Sequence, residues 1–237
     1  MKKVLFLGAS GIVGPHLIPG LEGHYDLRLT DVKPHPDGKD VQHLDVTCYE
    51  AVHEAARGMD AIMNFTVVRV DPDVSFPVNT IGAYHVMKAA AEHGVRKVIH
   101  TAPTFTQPYG HDFDVDDAPH AVLTNCYEVT KFLSLQICRI FAETHGIQTL
   151  CLLFGQLGDL RPTPGGDRIV PPFKIIWEDL QRACRQALEL ESVPGNFQWM
   201  HLMTSTIHEW YRIDKARRIL GFEPQVRLED EYRIRRR

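Results

Sequence analysis

The chain alternates between short, almost continuously apolar runs and longer stretches whose apolar positions recur at helical spacing. Runs at 4–7, 61–66, 97–102 and 147–154 have strand length and are rich in aliphatic residues, and 25–32 and 41–46 complete a set of six strands. Between them the pattern predicts a helix directly after the first strand. A second covers 49–57, with Thr47 as its N-cap. A third covers 78–93, with Ile81, Met87, Ala90 and Ala91 at its apolar positions and Gly94 as its stop, and a fourth covers 126–144. Such alternation implies an α/β fold, a parallel sheet covered on both faces, with ligands at the carboxyl ends of its strands. A stretch rich in Gly and Pro over 155–172 closes this core. Beyond it the pattern predicts a helix at 175–190, a strand at 196–203 and a helix at 207–220 that Gly221 and Pro224 terminate. Residues 1–155 therefore read as one domain, and 156–237 as a small region that does not fold independently.

The first strand runs straight into Gly8-Ala-Ser10-Gly11-Ile12-Val-Gly14. Glycines at such a turn let the backbone approach a ligand, and the following helix turns free N–H groups and a partial positive charge to the same place. A pyrophosphate suits that arrangement; a plain tight turn would use the same glycines. The second strand ends in Asp31, at the distance where a carboxylate meets an adenosine ribose in dinucleotide sites. An acid there repels a 2′-phosphate, so NAD is favoured over NADP, with Lys33 nearby as the one counter-indication.

Composition narrows the class. A chain of 237 residues buries one good core. Its net charge of −4 does not suit a nucleic-acid surface, and no apolar run has the length of a membrane helix. The first apolar run stops at Gly8, too early for a signal peptide. The five cysteines are odd in number and form no Cys-x-x-Cys pair, which reads as buried free thiols in a reducing cytoplasm. The 13 histidines include no His-x-x-x-His pair, so no metal site is expected. The basic end, Arg233 to Arg237, reads as a solvated terminus.

The second chemical signal is Tyr127-Glu-Val-Thr-Lys131. Tyr and Lys four apart share one helix face, and an ammonium beside a phenol lowers its pKa toward neutrality. Tyr127 then serves as general base for a hydroxyl or general acid for a carbonyl. The long loop before it, 103–124, is where function is expected.

Gly8 to Gly14, Asp31, Leu44-Asp45-Val46, Asn64-Phe65-Thr66, Val78-Asn79-Thr-Ile-Gly82, Tyr127 to Lys131, and the closing segment Asp214 to Pro224 together resemble the extended short-chain dehydrogenase/reductase family, the NAD-dependent epimerase/dehydratase group. The resemblance implies a Rossmann-type doubly wound sheet. It implies NAD held by Gly8, Ser10, Gly11, Ile12, Gly14, Asp31, Asp45, Val46, Asn64, Phe65, Thr66, Asn79 and Phe154, with Tyr127 and Lys131 at the nicotinamide. Asp45 and Val46 would lie near adenine, Lys131 would bond the nicotinamide ribose, and Asn79 would support the backbone or a water. Two departures follow. Pro103 stands where the family's catalytic hydroxyl belongs, with Thr104 and then Thr101 as substitutes. The segment beyond Phe154 is shorter than the family's usual substrate domain, which implies a small ligand, and the proportions look most like uronate dehydrogenases. Arg161 and Arg168 are candidates for binding a substrate carboxylate.

The expected activity is NAD-dependent oxidation of a hydroxyl of a sugar, sugar acid or small polyol. The alternatives are an epimerase or dehydratase that regenerates its NAD, and a non-catalytic NAD-binding regulator. The resemblance also implies a homodimer through 78–93 and 126–144, with Phe132, Leu135, Cys138 and Arg139 on the outer face.

Overall fold

A computed structural model describes residues 1–104, 123–159, 174–204 and 212–226. Its elements, in chain order, begin with β1 (Lys3–Leu7), α1 (Gly14–Leu21), β2 (Asp26–Asp31), β3 (Gln42–His43), α2 (Tyr49–Ala56) and β4 (Ala61–Asn64). Then follow α3 (Pro72–Phe76), a π-helical turn (Pro77–Ile81), α4 (Gly82–His93), β5 (Lys97–Ala102), α5 (Cys126–His145) and β6 (Gln148–Leu153). The remainder is β7 (Gln156–Gly158), β8 (Lys174–Ile176), α6 (Trp177–Glu189), β9 (Phe197–His201) and α7 (Asp214–Leu220). Seven strands form one parallel sheet in the order β3-β2-β1-β4-β5-β6-β9, and β7 and β8 form a parallel pair apart from it. This is the doubly wound α/β sheet that the alternation predicts.

The period of two along each strand divides the core. Val4 and Phe6 of β1 face one hydrophobic cluster with Met63, Ile99, Leu152 and residues of α1, α6 and α7. Leu5 and Leu7 face the other, with Ile62, Val98, Leu153 and residues of α2, α4 and α5. Both faces are covered, which is why the strands read as unbroken apolar runs rather than as alternation.

On the first of these faces α1 and α6 are fastened side by side. The His16 and Trp177 rings stack 4.0 Å apart, Gln181 Nε2 donates to His16 O at 2.7 Å, and Arg185 Nη1 donates to Gly20 O at 2.6 Å.

Several boundaries differ from the sequence reading. The strand expected at 41–46 shrinks to Gln42–His43, because Leu44 and Val46 turn into the core and Asp45 closes a turn. Thr47 does not cap α2. Its N–H and hydroxyl both bond to Asp45 Oδ1, at 2.9 and 2.8 Å, and Cys48 takes the N-cap position without a side-chain bond to the helix N–H groups. The helix expected from 78 is already helical at Pro72, capped by Asp71, whose carboxylate accepts from Asp73 N. Pro77 has no N–H for the preceding turn, and the ladder widens to the π turn before α4 begins at Gly82. Gly94 and Gly221 end α4 and α7 in the left-handed region, as expected. Residues 175–176 belong to β8 rather than to the helix, and α7 starts at Asp214; 207–211 lie outside the described residues.

The cysteines are free, but only Cys138, Cys151 and Cys184 are buried; Cys48 is exposed and Cys126 half-buried. Leu135 and Cys138, expected on an outer face, are 1% exposed and belong to the core. The helix phase presents Leu133 and Ile140 to solvent instead, and the neighbouring segment exposes Ile81 and Tyr84.

Candidate active site

Parallel pairing brings the exits of β1, β2, β4, β5 and β6 to one edge of the sheet. Leu7 is opposite both Thr30 and Asn64, Asn64 opposite His100, and Ala102 opposite Leu153. Gly8, Asp31, Thr66, Thr104 and Phe154 therefore stand along that edge.

Each glycine of the first turn has its own reason. Gly8 sits at φ +90°, and a Cβ there would lie 2.8 Å from the backbone carbon of Phe65 where the chain leaves β4. At Gly14 a Cβ would come within 2.1 Å of Ala9 O, so this glycine lets α1 fold back on its own turn. Gly11 is different: its φ is ordinary and its closest neighbour is Gly8 O at 3.4 Å, so its missing side chain leaves room rather than relieving a contact. Ile12 projects into solvent at the same turn.

Asp31 fastens this turn. Its carboxylate accepts from Ser10 N at 2.9 Å and Lys33 N at 3.0 Å, while Ser10 Oγ donates to Lys33 O at 2.9 Å. Each oxygen keeps a lone pair for a ribose hydroxyl. An open glycine turn, the N-terminus of α1 and this anchored carboxylate fit the two ends of an adenosine diphosphate.

Other expected residues contribute backbone or structure. The Val46 side chain packs under Gly82, and its carbonyl lies 3.0 Å from His85 Nδ1. The Phe65 ring stacks on Phe6 within the core. Asn64 Oδ1 accepts from Thr66 N and Oγ1 at 3.2 and 2.7 Å, which shapes the exit of β4. Asp45 is exposed, and Phe154 half-buried.

Asn79 is buried in the π turn. It bonds Val68 through both amide groups and donates to Thr130 Oγ1 at 2.8 Å. Its two protons are thus committed to the protein, and it holds the loop after β4 against α5. Thr101 is buried and Thr104 half-buried, on either side of Ala102 and Pro103. Arg161 and Arg168 lie outside the described residues.

Tyr127 and Lys131 occupy the first turns of α5, where Asn125 caps the helix through Glu128 N at 2.9 Å. They do not act on each other as the sequence suggests. Burial raises the Tyr127 phenol above its ordinary value, and the opposing cation is Arg69, not Lys131. Lys131 is 1% exposed, with Nζ 3.5 Å from His100 Nε2. His100 Nε2 lies 2.8 Å from Ser134 Oγ, which in turn donates to Lys131 O at 2.7 Å. Burial lowers the ammonium to about 8, against the pull of Cys138 and Cys151. Burial, with Lys131 adding to it, holds His100 well below the ordinary imidazole range, so the ring is neutral.

The sequence profile of the NAD dependent epimerase/dehydratase family matches residues 4–171. The chain belongs to that family. Its cofactor is NAD, and it is an oxidoreductase of the NAD-dependent dehydrogenase/epimerase kind. Among its relatives, a uronate dehydrogenase of Pseudomonas syringae pv. tomato is 26% identical over 195 residues, covering 79% of this chain and 70% of that one. The NAD-dependent glucose-6-phosphate dehydrogenase of Haloferax volcanii is 25% identical over 253 residues, covering 94% and 93%. A solved uronate dehydrogenase of Agrobacterium tumefaciens, a mutant complexed with NAD, superposes with a TM-score of 0.80 at 20% identity, over 97% of this chain and 87% of that one. This family member has no cluster of potential metal ligands and no helix long and apolar enough to cross a membrane among its described residues.

Arg69 and His100 are the residues that sequence reasoning missed. Arg69 lies in an irregular loop without periodicity. His100 carried a usable signal, a lone polar residue within the buried run Val98-Ile99-His100 and at the strand that precedes Tyr127.

Proposed function

We propose that the protein oxidises a hydroxyl of a sugar, sugar acid or related small polyol, with Tyr127 as the proton acceptor. The observation that carries this reading is Tyr127 and Lys131 on consecutive turns of α5, at the carboxyl edge of a sheet whose first turn suits NAD. Bound NAD supplies the acceptor for the hydride. Tyr127 would take the hydroxyl proton, Lys131 would stand under the cofactor ribose, and Thr104, or Thr101 behind it, would orient the substrate oxygen in place of the hydroxyl that Pro103 lacks. Arg161 and Arg168 remain the sequence's candidates for a substrate carboxylate. The names of the uronate and glucose-6-phosphate dehydrogenase relatives support a small anionic sugar as the first class to test.

The test is reduction of NAD, with NADP in parallel, against hexuronates, hexose phosphates and neutral hexoses. Tyr127→Phe should abolish turnover and preserve NAD binding; unchanged turnover would discard the mechanism. Cofactor that stays bound without net reduction favours the epimerase or dehydratase reading, which a UDP-glucose 4-epimerase among the relatives supports. NAD binding with no change in any substrate favours a regulatory protein.

The reading extends to a homodimer. Ile81 of the π turn, Tyr84 of α4, and Leu133 and Ile140 of α5 are exposed apolar side chains on neighbouring helices, which suits a second copy. A monomer by light scattering would count against it. Free thiols support a cytoplasmic location.

A further inference from the structure

An exposed cation stands at the reacting end of the site. Arg69, in the loop after β4, has its guanidinium carbon 5.6 Å from the centre of the Tyr127 ring and a hydrogen bond to the phenol. Its backbone is pinned on two sides. Asn79 holds Val68 by N–H and carbonyl together, Ser75 Oγ donates to Val68 O at 3.1 Å, and Cys126 Sγ lies 3.4 Å from Arg69 O. Its side chain has no such tie to an acid: none of the ion pairs among the described residues involves Arg69. Glu128, the acid next to Tyr127 in sequence, accepts from Leu123 N at 2.9 Å instead.

A guanidinium has five N–H donors in a planar fork, and one phenol oxygen occupies at most two of them. Nor does the phenol match its charge: burial outweighs Arg69 there and holds Tyr127 above its ordinary value. Lys131, on the next turn of α5, is 1% exposed and lies against His100, so it offers solvent no comparable group. The Arg69 fork is therefore open to a planar oxyanion, which its geometry suits better than a neutral hydroxyl. We propose that Arg69 binds the anionic group of the substrate and selects a carboxylate carried within a few bonds of the reacting hydroxyl. The fork meets the same phenol that faces that hydroxyl, so the two substrate groups lie about one guanidinium's width apart. A hexuronate ring satisfies this condition, because its carboxylate and its anomeric hydroxyl flank the ring oxygen. The phosphorus of a hexose 6-phosphate is two bonds further out, and a neutral hexose offers the fork no charge.

The inference rests on the proposed oxidation at Tyr127, and the test separates the two. In the full-length chain kcat/KM is measured with NAD for D-glucuronate, D-glucose 6-phosphate and D-glucose. Arg69→Met should lower the D-glucuronate value about 10- to 100-fold more than the D-glucose value, chiefly through KM, the effect expected from losing charge-assisted hydrogen bonds. Arg69→Lys keeps the charge without the fork and should fall between. Equal losses on D-glucuronate and D-glucose are the mark of a structural role and overturn the proposal. A larger loss on D-glucose 6-phosphate than on D-glucuronate overturns the placement of the anion. NAD affinity by calorimetry should stay at the wild-type value in Arg69→Met; a loss there as large as that on D-glucuronate assigns the guanidinium to the cofactor instead. Calorimetry of D-glucuronate binding to the NAD-loaded chain needs no turnover. If no sugar is oxidised while this binding falls in Arg69→Met, the proposed activity fails and the inference stands. D-glucuronate that binds neither chain overturns the inference, as does turnover whose preference for D-glucuronate survives in Arg69→Met.

Discussion

Asn79 holds Val68 by both ends of its amide: Oδ1 accepts from Val68 N at 3.0 Å and Nδ2 donates to Val68 O at 2.7 Å. A side chain on the π turn thereby imitates a strand partner for a loop that has none. Asn79→Ala leaves the Val68 N–H to find a new partner and takes one partner each from the Val68 carbonyl, which keeps Ser75 Oγ, and from Thr130 Oγ1. The expected cost is roughly 2–4 kcal/mol in denaturant unfolding, the scale of unsatisfied buried polar groups. Turnover should fall with it, because the loop lies against Tyr127 and Cys126 at the start of α5.

The three glycines of the first turn are predicted to fail in different ways. Gly8→Ala and Gly14→Ala meet backbone at 2.8 and 2.1 Å and should lower the melting temperature sharply. Gly11→Ala meets nothing closer than 3.4 Å and should fold normally. It should nevertheless weaken NAD by about tenfold, or ~1.4 kcal/mol, since the added methyl enters the space left for the pyrophosphate. Calorimetry of unfolding and of NAD binding on the three variants distinguishes the roles.

Lys131 gives stability a pH dependence of definite sign. Its folded value of about 8 is below the ordinary 10.5, so between these two the unfolded chain holds more protons than the folded one. Stability contributed at this site therefore rises from pH 8 to 10.5, and below pH 8 the buried ammonium costs up to roughly 3 kcal/mol. Lys131→Met should flatten this rise in paired urea titrations, while abolishing or crippling turnover. A wild-type curve that runs parallel to the variant from pH 8 to 10.5 would refute the assignment.

His100 acts at the acid end with the same sign. Its folded value is well below the ordinary 6.5, so stability is lost as pH falls through 6.5, where the unfolded imidazole takes up a proton and the buried one does not. His100→Phe should reduce this acid sensitivity in stability measurements between pH 7 and 5, a window set by that reference value.

Asp31 should govern cofactor choice and loop order together. Asp31→Asn removes the charge facing the ribose and leaves a single oxygen for the two N–H groups of Ser10 and Lys33. NAD affinity should fall while NADP gains relative to it, by about tenfold in their ratio. Equal loss of both would mean that Asp31 serves the loop alone.

The sheet and the cofactor turn were legible because they rest on local rules: strand-length apolar runs, glycines where a Cβ meets backbone, and an acid at a strand end. What the sequence conceals is set by long-range packing. The Lys131 ammonium was expected beside the phenol of Tyr127, since both lie on one helix face. It lies against His100 instead, and no helical periodicity encodes which neighbour a buried lysine meets. Arg69 meets Tyr127 from a loop that Asn79, ten residues further on, holds together with Ser75 and Cys126. Leu135 and Cys138 were misread as an outer face because α5 shows apolar residues to both the core and the solvent, Leu133 and Ile140 among the latter.

The contacts of α6 with α1 also govern how the molecule is made. Gln181 and His16 are 165 positions apart, as are Arg185 and Gly20. The helix that bears the pyrophosphate turn leaves a ribosome well before its partner α6 does. Leu17, Ile18 and Leu21 have no complete apolar cover until α6 arrives. Ordering of the nucleotide turn is thus a late event, coupled to distant sequence and slow in the manner of high-contact-order folds, and a nascent chain lacking α6 presents those three side chains as a surface for chaperones.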